Sequence, residues 1–239
     1  LAIRAEIPMP KIGISQIALP NAFAFGRGIR DGRVCVTHGL LNLLDERELK
    51  AVLGHELTHL KSRDVLTISL LSVIPMVMYW IYWRFAFAGS RRDERGSKTM
   101  LIGLAAFIFY LITNLLVLYG SRIREYFADR GSISLGNSPA SLASALYKLV
   151  YGAARIDKES IKEVEGLKAF FASDPSVARN EIRELAVLDR DRSGSIEPEE
   201  LEALRKKKIS VGLGDKLMEL YSTHPNMLKR IKQLSVYQS

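Results

Sequence analysis

Within these 239 residues, the stretch His55-Glu56-Leu57-Thr58-His59 carries the most legible chemistry. Two histidines four apart share one face of a helix, so both imidazoles can grip one cation, and the glutamate beside the first points at the position left open. A water polarised by Zn²⁺ falls in pKa to ~7, and the Glu56 carboxylate is placed to take its proton and leave a nucleophile for a peptide carbonyl. The flanking residues predict the helix that this requires. Asp45 with Glu48 three residues on is a capping box, and Leu49, Leu53, Leu57 and Leu60 form an apolar stripe at helical spacing.

A catalytic zinc site takes a third protein ligand, and a carboxylate completes one of the standard sets. Arg124-Glu125-Tyr126-Phe127-Ala128-Asp129 offers it. Glu125 and Asp129 lie four apart on a helix, so Glu125 can ligate while Asp129 accepts a hydrogen bond from a ligand imidazole and holds its tautomer. Standing alone, the same residues would read as a surface helix with an Arg122–Glu125 ion pair.

Two uncharged runs, Val65–Trp83 and Thr99–Ser121, bring this segment back toward His59. Each approaches or exceeds the ~20 residues that a helix rising ~1.5 Å per residue needs to cross a ~30 Å hydrocarbon layer, and two crossings return the chain to the side it left. Tyr79, Trp80, Tyr82 and Trp83 at one boundary, and Tyr119 with Tyr126 at another, suit headgroup depth. A hairpin buried in a soluble protein is the competing reading, and core helices seldom stay uncharged all round for so long. The polar loop expected over Gly89–Thr99 carries Arg91, Arg92, Arg95 and Lys98. The other side carries Lys50, Lys61, Arg63, Arg122, Arg124 and Arg130, a balance that leans toward a cytoplasmic flanking domain.

The composition, 48% apolar and 25% charged with a net charge of +8, excludes a disordered chain and suits an anionic neighbour such as a lipid bilayer. The single Cys35 excludes a disulfide scaffold and reads as a small core residue in the β-branched strand Val34–Thr37. His38 has no partner at metal-ligand spacing. The basic run Arg205–Lys208 continues a helix rich in acidic residues, without interleaved aromatics, so no nucleic-acid partner is expected. Residues 1–64 form the first part of a catalytic domain, 65–121 the hairpin, and 122–175 the third-ligand helix and its successors. Residues 176–208 form an insertion and 209–239 the closing part of the domain.

Several motifs in order make the chain resemble the HtpX-type integral-membrane zinc metalloproteases and, more distantly, the type I CAAX prenyl proteases. They are Pro8-Met9-Pro10-Lys11, Pro20-Asn21-Ala22-Phe23-Ala24, Val36-Thr37 with Gly39-Leu40-Leu41, Ala51 to His59 with Asp64, Arg124-Glu125-Tyr126 with Ala128-Asp129, and Thr223-His224-Pro225. The resemblance implies an α+β, mainly helical fold, a zincin-like catalytic domain interrupted by a transmembrane hairpin. One catalytic Zn²⁺ would sit on His55, His59 and Glu125, with Glu56 as general base and Asp129 and Asp64 behind the ligands. It also implies an edge strand over Asn21–Phe25, where Asn21, Ala22, Phe23 and Ala24 would hold extended substrate by backbone hydrogen bonds. His224 would serve as a late histidine that hydrogen-bonds substrate or the developing oxyanion. The expected substrates are unfolded or membrane-anchored polypeptides, and the expected place is the plasma (inner) membrane with the catalytic domain in the cytoplasm. Members of the family also carry two transmembrane segments ahead of the region seen here, so the chain reads as truncated.

One segment departs from the family. Asp189-Arg190-Asp191-Arg192-Ser193-Gly194-Ser195-Ile196-Glu197-Pro198-Glu199-Glu200 matches an EF-hand loop, with side-chain oxygens at positions 1, 3 and 5, Gly at 6, Ile at 8 and Glu at 12. Asp189, Asp191, Ser193, the Ser195 carbonyl, Glu197 and Glu200 would supply oxygens to one Ca²⁺. Leu185, Leu188, Leu201 and Leu204 would pack the flanking helices together. Without a paired hand the loop could equally be a solvated acidic turn. If it binds, Ca²⁺ would order the insertion and tune activity.

The chain therefore reads as a membrane zinc endopeptidase. Two rivals remain. A prenyl-protein protease would need an apolar cavity that two spans are too few to enclose, and a non-catalytic calcium sensor with a structural zinc would have no use for Glu56.

Overall fold

The computed structural model describes residues 1–86, 94–155, 193–207 and 212–238, together with residues 182, 185, 188, 189 and 191. Three short strands open the chain: β1 (Lys11–Ser15), β2 (Ala22–Phe25) and β3 (Arg33–Thr37). They form a sheet of order β1-β3-β2, in which β3 runs parallel to β1 and antiparallel to β2. The register pairs Ala22 with Val36 and Ala24 with Val34, which leaves β2 at an edge. Strand alternation sends Val34 and Val36 into the core and turns Cys35 to the opposite, partly open face. Cys35 is thus not the core residue expected.

Helix α1 (His38–Leu43) follows, and then α2 (Glu46–Ser62), which carries the histidine motif. The capping box forms as predicted. The Asp45 side chain accepts from the Arg47 and Glu48 amides, and the Glu48 carboxylate accepts from the Asp45 amide at 2.9 Å. Leu57 and Leu60 of the expected stripe are buried, but Leu49 and Leu53 only partly. The buried face extends through Ala51, Val52, Gly54 and His55, over which other helices pass.

Those helices are α3 (Asp64–Ala86), α4 (Glu94–Ser134) and α5 (Pro139–Arg155). Tyr79 stacks on Tyr110 and Tyr82 on Phe107, with centroids 5.4 and 4.9 Å apart; as one number rises the other falls, so α3 and α4 pack antiparallel. Their outer surfaces expose Leu70, Trp80, Leu101, Phe109 and Leu116, which suits lipid rather than water. Residues 94–99, expected in the connecting loop, belong to α4; the rest of that loop, 87–93, lies outside the described residues. Nor is the third-ligand helix separate from the second span. A single 41-residue helix carries both, since no proline interrupts it.

Helices α6 (Pro198–Lys206), α7 (Leu213–Leu220) and α8 (Met227–Leu234) complete the described elements. Leu185, Leu188, Ile196, Leu201 and Leu204 share one hydrophobic core with Leu40, Val52, Leu146 and Ile231. The acidic loop is therefore flanked by residues of the same core as α1, α2, α5 and α8. Of the segment 122–175, expected to hold the third-ligand helix and its successors, residues 156–175 lie outside the described residues, as do 176–181 and Lys208. Arg205 to Lys207 are exposed, as a solvated face requires.

Candidate metal centre

Helices α2 and α4 approach so closely at their crossing that a Cβ at Gly131 would lie 2.3 Å from the Thr58 side chain. The neighbouring Ser132 hydroxyl donates to the Ala51 carbonyl at 2.6 Å and ties the two helices together. This crossing aims Glu125, farther up α4, at the histidines of α2.

There the Nε2 atoms of His55 and His59 face each other at 3.0 Å, and the Glu125 carboxylate oxygens stand 3.7 and 3.6 Å from them. Tetrahedral bonds of about 2.0 Å would set ligand atoms ~3.3 Å apart, a value these separations bracket. Ligand atoms of all three residues lie within 4.8 Å of one another. Both rings are backed from behind. His55 Nδ1 lies 2.9 Å from Asp129, and His59 Nδ1 lies 2.7 Å from Asp64, so with a metal bound each ring would keep its Nδ1 proton on a carboxylate and give Nε2 to the ion. The donor set fits Zn²⁺.

Sequence reasoning missed the residue that binds this arrangement together. Arg230 on α8 is 1% exposed; its Nε and Nη2 bond Asp129 at 2.9 and 2.6 Å, and its Nη1 lies 2.9 Å from Glu125. A signal was present, because Arg230 falls on the same helical stripe as Met227, Ile231 and Leu234, and a charge among buried residues needs a buried partner. Arg124 plays a smaller part, pairing with the other Asp64 oxygen at 2.9 Å. The Arg122–Glu125 pair of a surface helix is not among the described ion pairs. Arg122 is buried, and its guanidinium donates to the carbonyls of Glu219, Leu220 and Ser222, the last turn of α7 and the approach to His224.

The cleft above the ligands is lined by Ala22, Phe23 and Ala24 of β2, by Glu56, by Val65 and Ile68 at the head of α3, and by His224. Asn21 is placed differently: it is buried, and its backbone is paired with Thr37. His224 is 28% exposed, with Nδ1 3.3 Å from Glu125. Burial pushes the Glu56 carboxyl above its ordinary value, against the opposing pull of His55, His59 and the Ala24 backbone.

Burial by itself lowers the His59 pKa, but the Asp64 hydrogen bond and the Glu125 and Glu56 charges outweigh it and push the value up to about 9. At neutral pH the metal-free ring is therefore protonated, a metal must displace that proton, and affinity falls as the pH drops below about 9. Calorimetric zinc titration at pH 7.5, in buffers of differing ionisation enthalpy, should read about one proton released per ion from His59. Release of none would show that the Asp64 contact leaves the ring neutral.

The acidic loop forms a second cluster, with oxygens of Asp189, Asp191 and Glu200 within 4.8 Å of one another. Gly194 adopts φ 83°, the turn that position 6 requires. Asp189 accepts from the Ser193 and Gly194 amides and from the Tyr147 hydroxyl at 2.9 Å, which ties the loop to α5. Ser193 and Ser195 contact each other, and the Ser195 hydroxyl donates to Glu197. Glu200 accepts from the Glu197 amide at the start of α6.

Comparison with known proteins adds an independent line. Residues 1–238 match the model of peptidase family M48. The chain is 57% identical over 150 residues to a Protease HtpX homolog of Methanothermobacter thermautotrophicus, covering 63% of this chain and 56% of that protein. It is 38% identical over 240 residues to a Protease HtpX homolog of Moorella thermoacetica (98% and 68%), and 34% identical over 241 residues to Protease HtpX homolog 2 of Methanosarcina acetivorans (100% and 70%). The chain thus spans 56 to 70% of the length of these curated relatives. No solved structure matches it.

Proposed function

The chain belongs to peptidase family M48, and from that premise we propose that it is a membrane-bound zinc endopeptidase acting on unfolded or membrane-anchored polypeptides. The observation that carries the reading is the convergence of His55 Nε2, His59 Nε2 and the Glu125 carboxylate beside the buried Glu56. When bound, Zn²⁺ supplies a Lewis acid that lowers the pKa of a water to ~7 and withdraws charge from the scissile carbonyl.

The protein's own groups do the rest. Glu56 takes the proton of the attacking water and returns it to the leaving amine. Asp129 and Asp64 hold the two imidazoles in the ligating tautomer. β2 is the edge strand of the sheet and its residues Ala22 to Ala24 line the cleft, so an extended substrate would lie along it, and contact through the main chain accepts varied side chains. The His224 ring opens on the cleft and can donate to the oxygen that gains charge. The basic flanks of the hairpin favour a domain on the cytoplasmic side of the plasma membrane.

Cleavage of casein by the detergent-solubilised chain tests the reading. Activity should vanish with a chelator and return with added Zn²⁺, whereas cleavage that persists in the metal-free chain would overturn it.

The acidic loop adds a modulating Ca²⁺ held by Asp189, Asp191, Ser193, Ser195, Glu197 and Glu200. The spacing of the motif and the clustering of its carboxylates support this. Its influence would pass to the zinc cleft through the core that the loop shares with α8, the helix that carries Arg230. At fixed zinc, Ca²⁺ should change the rate of casein cleavage, and Asp191→Asn with Glu200→Gln should erase the response. An equal rate in chelated and millimolar calcium would discard the modulation.

A further inference from the structure

The metal centre and the membrane hairpin share residues. Asp64, which backs His59, is the first residue of α3, and Val65 directly after it opens the uncharged run. That run, Val65–Trp83, is about 28 Å long as a helix, just enough for a ~30 Å hydrocarbon layer, so Val65 must sit at the hydrocarbon edge. On α4 the ligand Glu125 lies only ~6 Å of helical rise beyond Ser121, where the second uncharged run ends. Two helices, α3 through Asp64 behind His59 and α4 through Glu125, therefore hold the metal centre within about 10 Å of the same edge.

The cleft follows the same geometry. One wall bears His224 and Arg124, and another bears Val65 and Ile68. By the rise of α3, Ile68 lies ~4.5 Å inside the hydrocarbon boundary. The groove beside Glu56 is thus continuous with the lipid-facing surface of the hairpin, where Leu66, Leu70 and Leu71 are exposed. A polar chain laid along β2 would desolvate side chains against Val65 and Ile68 with no hydrogen bond in return. A chain leaving its own membrane span presents apolar residues there and polar ones toward the ligands.

We propose that the cleft selects segments emerging from the bilayer, and that the scissile bond of an anchored substrate is chosen by its distance from the hydrocarbon edge. This rests on the peptidase reading above and adds a rule of position to it. At ~3.3 Å per extended residue, a reach of about 10 Å places the cut roughly three residues beyond the end of the substrate's span.

The test co-reconstitutes the zinc-loaded full chain in vesicles with a single-span polypeptide whose unstructured tail is one short sequence repeated many times. Every repeat offers the same local sequence, so only distance from the bilayer differs. Mass spectrometry of the products should find cuts confined to the repeat next to the span. A polar spacer of about ten residues placed before the repeats should move the cut onto the spacer or abolish it. Cuts spread along the tail, or cuts that follow the repeats past the spacer, would overturn the rule of position alone. So would an enzyme that degrades casein and leaves the tethered tail whole. Failure to cut any substrate would overturn the peptidase reading, and this inference with it.

Discussion

Glu56→Gln should abolish casein cleavage, by roughly 10³-fold or more, while the protein still binds one zinc. Glutamine keeps the size of the side chain and a carbonyl oxygen for the Ala24 amide, and it leaves His55, His59 and Glu125 untouched. What it loses is the ability to accept a proton from water. Because burial already disfavours the charged form of Glu56, the neutral amide should leave the melting temperature unchanged or slightly higher. Metal content, thermal melting and cleavage measured on one preparation separate this from misfolding. A variant that keeps a tenth of the parent's rate would remove Glu56 from the role of base.

The second large effect falls on stability. Arg230→Met strips the guanidinium from between Glu125 and Asp129, two carboxylates that are 6% and 2% exposed. Removing one member of a buried charge network leaves the others uncompensated, at a cost of about 3–5 kcal/mol. For a chain of this size that lowers the melting temperature by roughly 10 °C. The loss should be greatest in chelator, because a cation on Glu125 replaces part of the missing positive charge. Arg230→Lys should fall between, since an ammonium keeps the charge but lacks the planar fork that meets both Asp129 oxygens. A methionine variant that melts with the parent in chelator would show that the cluster does not depend on Arg230.

Local patterns carried much of this architecture. The capping box at Asp45 and Glu48 involves residues three apart, and the histidine pair lies four apart, so both are settled within one or two helical turns. The two uncharged runs are legible for a similar reason, since lipid demands apolar residues on every face and leaves no period to misread. The apolar stripe of α2 is less legible. Leu49 and Leu53 match the helical period, yet the side that became buried was settled by where α4 and α5 pass, over Ala51 and Gly54. Cys35 departs from its expected core position for a related reason: a short β-branched run does not say which of its alternating faces meets the core.

Spacing along the chain marks the candidates for the chemistry: His55, Glu56 and His59 on one helix, and Glu125 with Asp129 by the same rule on another. How they are held is settled by packing at long range. Arg230 lies 101 residues from Asp129, and Arg122 lies 97 to 100 residues from the carbonyls it binds. No local period encodes contacts of that separation; they exist because α8 and the end of α7 both pack against α4. The cleft proposed at the membrane edge draws on both: Asp64, which backs His59, directly precedes the apolar run in the chain, but only the packing of α4 on α2 brings Glu125 to the same end.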